Sequence, residues 1–211
     1  MQIQSYHAGI ICLKKQTIYL RVFLKGFVIM KDIKKITLAG VLLAATLILP
    51  FLTGQIPQIG SMVSPMHIPV LICGFVCGWQ YGAIVGAVAP ILRFLCFGMP
   101  PLFPVGLAMT FELAAYGACA GLLYKALPKK TINVYVSLII SMLMGRLVWG
   151  VAMFGIAAVS SVNFSIQAFI AGAFINSVPG IIAHIIIIPV IVIALKKVNY
   201  FSDELCTGKA Y

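Results

Sequence analysis

Between Ile36 and Leu195 the chain meets only six charged residues: Arg93, Glu112, Lys125, Lys129, Lys130 and Arg146. No soluble domain of this size could hide that much apolar surface. With 62% hydrophobic and 9% charged residues and a mean hydropathy of +1.10, the chain falls among integral membrane proteins. Because a helix needs roughly 20 apolar residues to cross a bilayer, the stretch has room for six spans with short connections. The expected spans cover 36–52, 67–78, 82–97, 105–123, 134–159 and 169–195. The fold expected is an all-α integral membrane domain over 30–200, followed by a short tail at 201–211.

The net charge of +11 does not point to nucleic acid. Seven basic residues precede the first span, Lys125, Lys129 and Lys130 share one loop, and Lys196, Lys197 and Lys209 follow the last span. Lysine and arginine are retained on the cytoplasmic side, so this distribution reads as topology, with both termini cytoplasmic. The loops 53–66, 96–104 and 160–167 contain no lysine or arginine and are expected outside. Localisation to the plasma membrane as a multi-pass protein follows. Residues 1–29 interrupt apolar runs with basic ones too often for a span. Met30-Lys31-Asp32-Ile33-Lys34-Lys35 has the look of a natural start, so the tail reads either as an interfacial basic helix or as an over-extended start. No function is assigned to it.

The centre of the pattern is Pro65–Arg93, where Gly74, Gly78, Gly82 and Gly86 recur at every fourth position between Pro69 and Pro90. In lipid, small residues let backbones approach and supply packing that the hydrophobic effect does not. Two short helices joined by a turn at Gly78-Trp79-Gln80-Tyr81-Gly82 are expected. Gly40 and Ala44 make a similar small-residue pair on the first span, suited to docking another membrane helix.

Arg93, Glu112 and Arg146 lie inside spans, where charge is costly and marks a functional site or an internal pair. Two positive charges against one negative favour an anionic ligand, such as a carboxylate held by a guanidinium fork. Alternatively, Glu112 pairs with one arginine while the other lies near a helix end. Arg146 shares a helix face with Trp149, Gly150 and Met153, a setting suited to a partly polar, partly flat ligand. Asn176 and His184 share a face with Gly180 on the last span. The candidate substrate-binding residues are therefore Arg93, Glu112, Arg146, Trp149, Asn176 and His184.

Six scattered cysteines read as small apolar residues, and no metal site or cofactor is expected. The chain lacks G-x-x-x-x-G-K-[ST], GxSxG and HExxH, and only one acidic residue lies within the spans. It is therefore read as a binding protein without a motor of its own, and not as an enzyme. A self-sufficient channel or facilitator stays open, as does, further off, an intramembrane enzyme using His184 with a serine such as Ser177.

His67-Ile68-Pro69-Val70, Gly74, Gly78 and Tyr81-Gly82-Ala83-Ile84-Val85-Gly86 resemble the second and third spans of substrate-binding S components of energy-coupling factor (ECF) vitamin transporters. The resemblance covers 31–197 and includes the six-span count, the inner termini and the long first outer loop. It implies a subunit that captures a micronutrient from outside and delivers it inward on docking to a shared T subunit driven by two ABC ATPases. Gly40 and Ala44 would match the small-residue face that meets the T subunit, where the family more often shows alanines. The loops 53–66, 98–104 and 160–167 would close over the pocket. Nickel and cobalt members use Met-His at a free N-terminus, whereas Met66-His67 is internal, which speaks against a metal substrate. Among vitamins the arginines favour an acid such as pantothenate, folate, niacin or biotin. GMPPLFP and AMTFELAAYG look most like the pantothenate-type branch, with a hydroxymethylpyrimidine-type substrate as the other reading.

Overall fold

The computed structural model describes residues 33–53, 64–128, 130–160 and 164–197, which are helical or connect helices, with no strand among them. The expectations for 1–29, for most of the first outer loop and for the tail at 201–211 lie outside the described residues. The chain divides into two units, Met1–Thr37 and Leu38–Tyr211. Of the first, only 33–37 are described, a helical turn in which the Thr37 hydroxyl donates to the Ile33 carbonyl at 3.0 Å.

The helices are α1 (33–48, continued by a 3-10 turn at Leu49–Thr53), α2 (His67–Cys77), α3 (Trp79–Phe97), α4 (Leu107–Ala126), α5 (Thr131–Val159), α6 (Ile166–Ile170) and α7 (Val178–Lys197). Wide turns at Leu102–Gly106 and Ala171–Ile175 lead into α4 and out of α6. Among the described residues, five helical stretches are long and apolar enough to cross a membrane: Ile33–Phe51, Trp79–Phe97, Leu102–Ala126, Thr131–Val159 and Ile166–Leu195.

The second of the six expected spans differs. Helix α2 has 11 residues, about 16 Å at 1.5 Å per residue, against a hydrocarbon core of about 30 Å. Every one of its residues is buried, so protein surrounds it and it need not match the thickness of lipid. Gly78 ends it with φ 101°, a conformation that side chains disfavour. The connection is shorter than the sequence suggests, because Trp79, Gln80 and Tyr81 already belong to α3.

The glycine spacing works through α4. A Cβ on Gly82 would sit 2.7 Å from the Gly74 Cα and 2.8 Å from the Gly117 carbonyl oxygen. One on Gly86 would meet the backbone of Leu113 and Ala114, and one on Gly121 would lie 2.5 Å from the Trp79 Cα. Three backbones thus touch where only hydrogen fits. Gly78 takes no part in this packing and serves only the turn.

Helix α2 also joins the two apolar cores. Leu71 and Phe75 pack with Tyr116 of α4, Leu138 of α5 and Ile188 of α7. Val70 and Cys73 pack with Ala39 of α1, Val85 of α3 and Leu113 of α4. The last span is not one straight helix. Asn176 and Ser177 form a turn before α7, and Pro179 stands in its first turn, where proline is tolerated. The Ser177 hydroxyl donates back to the Gly172 carbonyl at 2.7 Å.

Candidate substrate site

Glu112 sits in the second turn of α4, 2% exposed, where a lone carboxylate would be costly. Its Oε1 accepts from Arg146 of α5 at 2.9 Å and from the Tyr116 hydroxyl at 3.2 Å. Tyr116 stands one turn further along α4, so helical spacing alone carries its hydroxyl to the carboxylate. Gly145, next to Arg146, makes room for the tyrosine ring, since a Cβ there would come 2.6 Å from it.

His67, the first residue of α2, closes the cluster from the other side. Its ring lies edge-on to Tyr116 with centroids 5.0 Å apart, and its Nε2 stands 3.5 Å from Glu112 Oε1 without forming a hydrogen bond. Its Nδ1 is 3.2 Å from the Ser64 carbonyl, which also accepts the His67 backbone N–H at 3.0 Å. His184 of α7 approaches the same place, its ring centroid 5.9 Å from that of His67. Its Nε2 has no partner. Ser64, whose carbonyl faces the His67 ring, holds a positive φ of 47°, uncommon outside glycine.

One turn beyond Arg146, Trp149 enters an aromatic group. It stacks with Phe169 of α6 at 6.1 Å and meets Phe164 edge-on at 5.6 Å, and Phe154 meets Phe164 at 5.0 Å. Gly150 and Gly172 are the gaps that admit these rings, Gly150 facing Phe169 and Gly172 facing Trp149.

The sequence-derived candidates therefore separate. Glu112, Arg146 and His184 come together, with Trp149 one turn away. Arg93 is elsewhere: it donates to the Leu47 carbonyl of α1 at 2.9 Å and lies between the rings of Phe51 and Phe97, 5.7 and 5.8 Å from their centroids. Asn176 is exposed at the turn before α7. Gly40 and Ala44 are exposed on α1, and a Cβ on Gly40 would meet nothing. Tyr116, Phe164 and Phe169 were not singled out from sequence. Tyr116 could have been found from its i+4 spacing to Glu112, whereas the two phenylalanines reach Trp149 only through the tertiary fold. Among the described residues no group of three or more His, Cys, Asp or Glu side chains is arranged to hold a metal ion.

The family model of the ECF transporter substrate-specific component matches residues 34–195. The chain belongs to this family. It is thus the substrate-specific S component of an ECF transporter, a multi-pass membrane protein of a transporter family and not of an enzyme family. Such an S component takes a small-molecule substrate and works with T and ATPase partners. The matched range contains the whole Glu112 cluster and the aromatic group beside it. No curated protein and no solved structure matches this S component.

Proposed function

We propose that this S component captures a vitamin-type micronutrient carrying a carboxylate, of the pantothenate kind, at the Arg146–Glu112 cluster. It releases the molecule inward on docking to a T subunit driven by two ATPases. The observation that carries the reading is the way Glu112 holds Arg146. The carboxylate engages one terminal nitrogen of the guanidinium, and the arginine side chain remains 13% exposed. The remaining donors of the fork suit a second carboxylate in bidentate geometry. The aromatic group around Trp149 supplies an apolar wall for the rest of the molecule. Arg93 has a structural part in this reading, binding α3 to the end of α1.

The uncharged loops 53–66, 98–104 and 160–167 would lie outside and close over the pocket, with both termini cytoplasmic, in the plasma membrane. Gly40 and Ala44 would face the T subunit. The test is native mass spectrometry of the detergent-purified protein, with identification of any small molecule released on denaturation. A vitamin acid at one per chain is the expected result. An empty protein with no thermal shift across a vitamin panel, or one that carries substrate across vesicles without ATPases, would replace this reading with a channel or facilitator.

A further inference from the structure

The unusual feature of the cluster is what its histidines leave unmade. His67 and His184 are each 3% exposed, and the Nε2 of each has no hydrogen-bond partner. Buried polar atoms are nearly always paired, and each exception calls for an explanation. The tautomer sharpens the point. A carbonyl can only accept, so the bond to Ser64 places a proton on Nδ1 of His67. In a neutral imidazole the other nitrogen is then an acceptor with a bare lone pair. The two rings have centroids 5.9 Å apart, and the Glu112 carboxylate stands 3.5 Å from the unpaired Nε2 of His67. This side of the site holds two unmade hydrogen bonds, while Arg146 next to it offers donors. The packing does not relieve the shortage, because the Tyr116 hydroxyl is directed at Glu112.

We infer that the Nε2 atoms of His67 and His184 accept hydrogen bonds from N–H or O–H groups of the captured molecule. The pair thereby selects a ligand whose donor groups lie a short distance from its anionic end. This rests on the capture reading above and adds to it the specificity-determining residues. An acid without such donors would satisfy Arg146 and leave both imidazoles unpaired in a closed site, which disfavours it. Sites built to hydrogen-bond a hydroxyl or amine reject analogues lacking that group far more strongly than apolar pockets reject a missing methylene.

Substitution by asparagine separates this role from a structural one. An asparagine amide nitrogen falls near the position of Nδ1, so His67→Asn keeps a donor for the Ser64 carbonyl, and His67→Asn and His184→Asn each remove the Nε2 atom. Wild type and both variants would be titrated calorimetrically, in detergent, with pantothenate, which carries hydroxyl and amide donors, with its di-O-methyl ether, and with nicotinate, which has none. Biotin, folate and a 4-amino-5-hydroxymethylpyrimidine would complete the panel. The expected result is that at least one donor-bearing acid binds wild type at least tenfold more tightly than nicotinate, and that pantothenate binds more tightly than its ether, which keeps only the amide N–H. Each asparagine variant should keep a melting temperature close to wild type, lose at least tenfold in affinity for that acid and discriminate the ether less well. Wild-type binding that is equal for donor-bearing and donor-free acids, or unchanged in both variants, would overturn the inference and leave the capture reading standing. Failure of every probe to bind wild type would overturn both.

Discussion

The two intramembrane arginines are held by different kinds of partner, and this decides what each substitution should do. Arg146 is anchored by a carboxylate within a polar cluster, so Arg146→Ala should weaken ligand binding by more than tenfold, read as a dissociation constant. An unchanged constant would remove it from the site. Because it also strands a buried carboxylate, the same change should cost stability of about 3–5 kcal/mol, and Glu112→Gln combined with it should recover part of that loss. Arg93 donates to a backbone carbonyl between two aromatic rings. Arg93→Ala should therefore lower the melting temperature while leaving the dissociation constant within about twofold. The sequence could count the charges and offer, as the alternative to an anionic ligand, the pairing of Glu112 with one arginine. It could not say which one, because both lie within reach by chain position and the choice is made by how α4 packs on α5.

At the level of helices, the glycine repeat proved more informative than the span count. Spacing alone marked Gly74, Gly82 and Gly86 as places of close approach, and the structure brings their backbones against Gly117 and Leu113 of α4. Gly82→Leu should abolish the monodisperse peak in size-exclusion chromatography. A normally expressed, ligand-binding variant would show that the contact between α2, α3 and α4 is looser than its geometry. What was not legible is where hydrophobicity and helix length part company. Hydropathy says apolar through 166–195, but the chain turns at Asn176-Ser177 ahead of Pro179, and α2 stops after 11 residues. The aromatic group was half legible: Trp149 stood out on its helix face, while Phe164 and Phe169 arrive from beyond a loop. Gly150→Leu should displace Phe169 and loosen this wall, weakening binding without the general loss expected for Gly82→Leu. Comparison of melting temperature with dissociation constant would check the distinction.

For the molecule as a whole, membership of the ECF family accounts for the combination of a polar cluster buried among apolar helices and the lack of any nucleotide-binding motif. The energy source lies in other subunits. On that account, a defect in capture and a defect in delivery should be separable. Gly40→Leu adds bulk where a side chain meets nothing, so folding and ligand affinity should stay as in wild type. If α1 presents this face to the T subunit, co-purification with the T subunit and ATPases should be lost. Retention of the full complex would move the docking face elsewhere.

The short buried helix has a consequence for how the protein is made. A segment of 11 residues offers the insertion machinery too little hydrophobic length to be recognised as a span. It is expected to enter the bilayer together with α3, from which a single glycine separates it. The place it must occupy does not exist until α4 has been synthesised and supplies its glycine face. The two halves of the hairpin and the helix that follows should therefore assemble together during biogenesis, and a chain truncated at Phe97 should fail to accumulate in the membrane, read by its yield in the membrane fraction.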